Sequence, residues 1–292
     1  MSATIKRLLI SDRDDIMEIS RHIWDGHDYL PSVADEWLND PNCHFYGSEM
    51  NGHVVAVGNL RLVENGQTGW MEGLRVHPDY RGKGLAKELT RYLVEKAESF
   101  GLQRLRYTTA NRNSASLKLA KMAGFSRVFT LAVFWHLNPK TVPHSEDYPS
   151  IRKVSPARTH NLLQTNPSIV FHEILVYDWK ALDNTLQNLE EIGKTHKFYI
   201  ATKKGKADSL SFGYPRREST QAWWSTTVYA TDLEGLASQL AHNQVVASKQ
   251  GIKSIVCTFE TKFEKALRAS VGWETGEHWG IRLVLLEKRM RS

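Results

Sequence analysis

The sequence predicts an α/β (α+β) chain made of two similar halves. Three observations carry this expectation. Helix-period and strand-period segments alternate through both halves. A polar stretch over 139–150, with Pro139, Pro143 and Pro149, separates them. The landmarks Gly101-Leu102 and Gly124-Phe125 return as Gly251-Ile252 and Gly272-Trp273 at nearly the same spacing. We therefore expect one domain over 1–138, a linker over 139–150 and a diverged copy over 151–292, with an unrelated α/β domain as the other reading of the second half.

In the first half, Ile16, Ile19 and Ile23 lie at helical spacing, so 12–23 reads as a helix with Ser11 or Asp12 as N-cap. Residues 33–38 read as a second helix, stopped before Pro41. Residues 44–50 and 53–63 read as strands joined by Asn51-Gly52, a strong hairpin signal. Asn65-Gly66 turns the chain into a strand over 69–76. A helix over 83–100 follows, with Leu85, Leu89, Leu93 and Ala97 on one face and Gly101 as its stop. A strand over 102–109, a helix over 114–123 and a strand over 128–137 complete the half. The second half repeats the order: a helix over 184–192, strands over 198–202, 209–214 and 222–230, and a long helix over 233–250. A strand over 253–259, a helix over 263–270 and a strand over 281–286 close it.

Composition narrows the function classes. The chain has 292 residues, 41% hydrophobic and 24% charged, which excludes a mainly disordered chain. It holds no run of about 20 apolar residues and no signal-peptide core, so no membrane partner is expected. Two distant cysteines, Cys43 and Cys257, give neither a disulfide framework nor a CxxC zinc pattern and suit a reducing, cytoplasmic setting. The formal charge of +6 invites a nucleic-acid reading but fits an anionic cofactor equally. With no basic stripe or reading helix, no nucleic-acid partner is expected.

The chemistry concentrates in 72–86, Glu-Gly-Leu-Arg-Val-His-Pro-Asp-Tyr-Arg-Gly-Lys-Gly-Leu-Ala. A strand enters a short loop, and the loop opens a helix. Free N–H groups at a helix start attract anions, and the helix dipole adds to this. Gly82 and Gly84 allow the turn, Ala86 keeps the wall low, and Arg81 and Lys83 add charge. The loop reads as a diphosphate cradle, with a solvated turn as the other reading of these residues taken alone. The glycine spacing fits neither a dinucleotide fold nor a P-loop. The segment resembles the acyl-CoA motif of the GNAT superfamily of N-acetyltransferases, Arg/Gln-x-x-Gly-x-Gly/Ala, matched at Arg81, Gly84 and Ala86. The preceding Val76-His77-Pro78 and the downstream Asn113, Ser116 and Gly124-Phe125 extend the resemblance over roughly residues 4 to 137. The fold implied is a GNAT acyl-CoA N-acyltransferase domain with a mixed central sheet, followed by a degenerate GNAT-like one.

That resemblance implies acetyl-CoA as co-substrate. Backbone groups of Leu74, Arg75 and Val76 would pair with the pantetheine arm, and the Val76 amide would polarise the thioester carbonyl. Amides from Gly82, Lys83, Gly84, Leu85 and Ala86 would hold the pyrophosphate beside Arg81, and Asn113 would bond near the pantetheine. Lys118 or Lys121 could reach the ribose phosphate. Alternation places Glu72 on the face of Trp70, Leu74 and Val76, and a Glu on this strand often serves the family as general base. Structural pairing with an arginine is the competing reading. Ala120 stands where many relatives have the tyrosine that acts as general acid, leaving Tyr107 or water.

The junction 24–31 and Trp37 read as a pocket for a small cation or as an ordinary aromatic corner. Asp28-Tyr29-Leu30-Pro31 with Trp37 and the 72–76 strand is similar to the histidine N-acetyltransferase subgroup. This implies Asp28 and Tyr29 as acceptor contacts, with Arg61 or Arg75 for a substrate carboxylate. The second half has no such phosphate motif, and Asp232 and Glu234 there oppose diphosphate. Trp223, Trp224, Trp273 and Trp279 read as core or interface. With no His-x-x-x-His or His-Glu-x-x-His spacing, no metal is expected. The expected function is acetyl transfer to the primary amine of a small molecule, with a free amino acid such as histidine as the candidate acceptor, by a monomer or homodimer. A protein or peptide N-acetyltransferase and a non-catalytic acyl-CoA-binding module are the alternatives.

Overall fold

The computed structural model describes residues 3–23, 26, 28–137, 148–218, 221–270 and 280–290. Most of the expected linker, and Trp24, Asp25, His27, Gly272, Trp273 and Trp279, lie outside the described residues. Internal contacts group the chain into two units. Residues 1–107, 113–128 and 286–292 form one, and residues 108–112 and 129–285 form the other.

The first unit runs β1 (Thr4–Arg7), α1 (Arg13–Arg21), α2 (Leu30–Asn39), β2 (Cys43–Met50), β3 (His53–Val63), β4 (Thr68–Val76), α3 (Leu85–Ser99), β5 (Arg104–Ala110) and α4 (Ser114–Met122); β6 (Ser126–Leu137) begins there. Strands β1 to β4 pair antiparallel in chain order, and β5 joins β4 in parallel after the α3 crossover. The hairpin at Asn51-Gly52 has both residues at positive φ, 53° and 81°, as a two-residue turn of this hand requires. One face of the sheet is covered by α1 and α2, whose Ile16, Ile19, Leu30 and Trp37 pack on Cys43, Phe45, Val54 and Val57. On the other, Leu89 and Leu93 of α3 close on Gly58, where a Cβ would stand 3.2 Å from the Leu93 Cδ1.

Several boundaries differ from the sequence expectation for identifiable reasons. The short polar strand β1 has too little apolar alternation to be read, and its pairing with β2 makes it a strand. Helix α2 starts at Leu30 because Pro31 falls in the first turn, where its missing N–H costs nothing. Helix α3 starts at Leu85, because Gly82 and Gly84 have φ of 77° and 85°.

The second unit continues with β7 (Arg152–Val154), α5 (Pro156–Leu163), β8 (Ile174–Tyr177), β9 (Lys180–Asp183), α6 (Leu186–Gly193), β10 (Lys197–Lys203), β11 (Lys206–Glu218), β12 (Gln221–Ala230), α7 (Leu233–Ser248), β13 (Ser254–Glu260), α8 (Glu264–Ser270) and β14 (Gly280–Arg289). Its sheet order is β6-β13-β12-β11-β10-β7, with β12 and β13 parallel, while β8 and β9 form a hairpin of their own. An antiparallel meander, a helical crossover, a parallel strand and a short helix follow one another here as they do in the first unit. The strand expected over 209–214 runs on to Glu218, with Pro215 inside β11. The pairing of β10 with β11 stops at Lys197↔Gly213, so Pro215 faces a neighbour on one side only and needs no second ladder bond.

The end of β14 counts with the first unit. Glu287 Oε2 accepts from Nε of the buried Arg106 at 2.8 Å, and the Met290 N–H donates to the Gln103 carbonyl at 2.9 Å. Arg106 is 3% exposed, and Glu64 stands 3.9 Å from its Nη1, so losing Glu287 leaves the buried guanidinium with the more distant of these two carboxylates. Glu287→Ala is expected to lower unfolding free energy by about 3 kcal/mol, read as an earlier urea midpoint. A shift below about 1 kcal/mol would show that Glu64 or water takes over the charge and that the strand end adds little.

Candidate active site

The site is built on an interruption in β4. Along the β3–β4 ladder Val57 pairs with Arg75 and Asn59 with Glu72, so one residue of β3 faces two of β4. Gly73, at φ 68°, makes this bulge. A Cβ there would come within 2.4 Å of the Trp37 ring, so both the backbone angle and the missing side chain are required. Cross-strand partners share a face. Glu72 therefore shares a face with Trp70 and Arg75, and the bulge turns Leu74 and Val76 to the other. This corrects the simple alternation, which had put Glu72 with Leu74 and Val76.

Past the bulge β4 leaves β5. Their ladder covers Thr68–Trp70 against Arg104–Arg106 and, among the described residues, goes no further. The His77 N–H donates to the Val55 carbonyl at 2.9 Å. By antiparallel alternation Arg75 spends its backbone groups on β3, whereas Val76 points its N–H to the open side. The Leu74 carbonyl accepts from Arg75 Nη1 at 3.0 Å, and the Val76 carbonyl from Arg81 Nε at 3.3 Å.

The strand then enters the glycine loop. Gly84 caps α3 without a side-chain hydrogen bond, so no side chain of the cap competes for the first helical N–H groups. Among the described residues, chain neighbours aside, no atom lies within 4 Å of where a Cβ would sit on Gly82 or Gly84, so glycine is needed for φ rather than for space. Val76, Arg81, Gly82, Gly84, Leu85 and Ala86, with Tyr80, Lys87 and Leu119, line a cleft of about 220 Å³. Lys83 sets its ammonium over the Tyr80 ring, 4.5 Å from the centroid. These features suit an anionic diphosphate followed by an extended arm, the shape of acetyl-CoA. Asn113 caps α4, accepting from the Ser116 N–H at 3.1 Å. Lys118 and Lys121 are exposed on α4, and Ala120 is buried. The Tyr107 hydroxyl donates to the Ser116 carbonyl at 3.1 Å, and burial raises its pKa.

Glu72 lies within a polar cluster. Its Oε1 accepts from Asn59 Nδ2 and from Arg61 Nε, both at 3.1 Å. Arg61 also reaches Glu36 at 2.8 Å and Asp40 at 3.0 Å. Burial opposes the charge on Arg61, but Glu72 and Glu36 outweigh it and raise its pKa. Three carboxylates around one guanidinium leave the cluster negative, a favourable setting for an ammonium. Asn59, Glu36 and Asp40 were not foreseen; the i,i+4 spacing of Glu36, on α2, and Asp40, its C-cap, was the available signal.

Asp28 and Tyr29 stand beside this cluster, though not as open contacts. Asp28 takes both Arg75 Nε and Nη2, at 3.1 and 2.9 Å, and accepts from Ser20 Oγ at 3.1 Å. The Arg75 guanidinium lies 5.2 Å from the Tyr29 ring centroid. Burial raises the Tyr29 pKa, and its hydroxyl bonds Arg75 and the backbone of Gly73. Arg61 and Arg75, the two candidates for a substrate carboxylate, are thus both engaged with protein acids. Asp28, Tyr29 and Arg75 brace the bulge from α2's side.

In the second unit the start of α7 is closed to anions. Asp232 accepts from the Gly235 N–H at 2.8 Å. Lys203 lies within 3.6 Å of Asp208, Asp232 and Glu234. The Tyr148 hydroxyl, bonded to Asp208 at 2.6 Å, stands 2.9 Å from where a Gly235 Cβ would be. Trp224 is fully buried, with Nε1 donating to Asn243, and Trp223 packs under Arg216.

Residues 13–125 match the Acetyltransferase (GNAT) family. A histidine N-acetyltransferase of Oreochromis niloticus is 40% identical over 88 residues, 30% of this chain and 26% of that protein. One from Xenopus tropicalis is 35% identical over 82 residues, 28% of this chain and 25% of that protein. The match spans about a quarter of the length of these curated relatives. Among solved structures, a GCN5-related N-acetyltransferase from Sphaerobacter thermophilus superposes with TM-score 0.64 at 13% identity, covering 99% of this chain and 96% of that one. A tandem GNAT protein from the clavulanic acid biosynthesis pathway gives TM-score 0.60 at 12% identity, over 100% of both chains. No helix among the described residues is long and apolar enough to cross a membrane.

Proposed function

We infer an N-acetyltransferase from a chain that has the tandem GNAT fold and whose residues 13–125 match the acetyltransferase (GNAT) family. The observation that carries the reading is the opening of β4 from β5 directly ahead of a glycine-phased, uncapped helix start. Bound acetyl-CoA supplies an acetyl group on a thioester. The α3 amides and Arg81 hold its diphosphate, and the Val76 N–H polarises the thioester carbonyl. Glu72 takes a proton from the acceptor ammonium, directly or through one water. An α-amine of pKa near 8 is only about one-tenth neutral at pH 7, so this step makes the nucleophile. Arg61 and Asn59 hold the carboxylate in place for it.

The acceptor we propose is the primary amine of a small molecule, with a free amino acid such as histidine first among them. Two things support this: the negative cluster around Glu72, and the relatives named for histidine acetylation. The domain roles proposed are catalysis by residues 1–138 and a non-catalytic GNAT-like copy at 151–292, the latter supported by the acids and Tyr148 at the start of α7. The two free, buried cysteines are in keeping with a cytoplasmic setting. A screen of CoA release across free amino acids, polyamines, aminoglycosides and peptides tests the acceptor class. Turnover with free amino acids is expected. Turnover with peptides alone would overturn the small-molecule reading, and tight acetyl-CoA binding without turnover would leave a binding module.

A further inference from the structure

We propose that Glu18, His22 and His77 form a binding site for a divalent transition ion of the Zn²⁺ class, tying the end of α1 to the loop after β4. One ligand atom from each of the three lies within 4.8 Å of the others. Glu18 and His22 are one helical turn apart, and Glu18 Oε1 meets His22 Nε2 at 3.1 Å. His77 comes from the far side, its ring set edge-on to His22 at 5.3 Å between centroids. Two imidazoles and one carboxylate are a donor set that borderline ions prefer and that Mg²⁺ or Ca²⁺ does not.

The spacing is wider than the roughly 3.4 Å that a tetrahedral ion with bonds near 2.1 Å imposes. The side chains of Glu18 and His22, 42% and 44% exposed, have room to shift toward His77 and close it. Arg21 holds the other Glu18 oxygen, Oε2, at 2.5 Å and leaves Oε1 for the metal. His77 Nδ1 accepts from the Asp79 N–H at 3.3 Å, so taking the ion at Nε2 moves the ring proton to Nδ1 and breaks that contact, and Asp79 Oδ2, 3.9 Å away, must close in to accept the proton. The expectation of no metal rested on His–His spacings. Glu18-x-x-x-His22 has the same pitch, and its third member arrives only through the fold. An ion held here would fix His77, the residue directly after Val76.

The test uses the tag-free full chain, stripped with a chelator and titrated with Zn²⁺ against a chromophoric competitor, then repeated with Mg²⁺ as the challenger. The parent should bind one equivalent that Mg²⁺ does not displace. His22→Gln, His77→Gln and Glu18→Gln should each weaken binding by about tenfold or more, since losing a ligand costs at least what losing its outer partner does. Absence of a one-equivalent site, displacement by Mg²⁺, or parent-like affinity in any one variant overturns the proposal. If His77→Gln shifts the metal-free urea midpoint, the two variants on the half-exposed helix positions decide alone.

Discussion

Glu72→Gln is expected to lower kcat with the preferred amine by about 10²- to 10⁴-fold, leaving acetyl-CoA affinity and the urea midpoint near those of the parent. Glutamine has the same shape and keeps an oxygen for the Asn59 and Arg61 donors that Oε1 now serves. It cannot take a proton at neutral pH. The prediction thus separates two roles that the geometry superimposes on one side chain. If Glu72 is chiefly a brace for Arg61, the midpoint falls and kcat changes little, because Glu36 and Asp40 keep the guanidinium paired. If it is the base, the loss appears in kcat and shrinks as pH rises and more acceptor amine is already neutral. Equal loss in kcat and in midpoint would point to a collapsed cluster and count against the base.

What the sequence made legible was local. Asn51-Gly52 adopts the positive φ pair that its hairpin needs, and Gly82 and Gly84 do the same for the loop before α3. These signals depend on one or two residues whose backbone preferences are strong, so no distant contact is required to read them. The faces of β4 were misread because alternation assumes an uninterrupted ladder. Gly73 was the one hint, an isolated glycine in a strand, and its reason lies in Trp37 from another element. Asp28 and Arg75 are 47 positions apart, and Arg106 and Glu287 are 181 apart. No periodicity reaches across such distances. The charges were visible as candidates for substrate, yet only the fold shows that each is engaged by another side chain.

The engaged arginines also bear on how the acceptor is selected. A free amino acid brings a carboxylate as well as an amine, and Arg61 and Arg75 are held by Glu72, Glu36, Asp40 and Asp28. An arginine so paired gives up part of its attraction for a new anion, because it must first leave a carboxylate of its own. The cluster consequently favours the ammonium end of the acceptor, and Glu36, 60% exposed in its side chain, is the partner least costly to displace from Arg61.

Ala86→Glu should weaken acetyl-CoA binding by about a hundredfold or more while leaving the fold intact. Ala86 lies in the first turn of α3 and lines the cleft. Glutamate is a good helix former, and a negative charge in the first turn suits the helix dipole, so the apo protein loses little stability. Against a diphosphate the same charge is repelled. At about 5 Å and an effective dielectric near 20, one pair of like charges costs about 3 kcal/mol. That is more than two powers of ten in affinity. Ala86→Gln has nearly the same size without the charge, so it isolates steric obstruction, and a much smaller loss is expected from it. Calorimetric titration of acetyl-CoA into the three proteins, with urea midpoints measured in parallel, gives the comparison. Parent-like affinity in Ala86→Glu would remove the diphosphate from the start of α3, and with it the assignment of Arg81, Gly82 and Gly84 to its cradle. Equal losses in both variants would assign the effect to volume and deny the electrostatic role of the helix start.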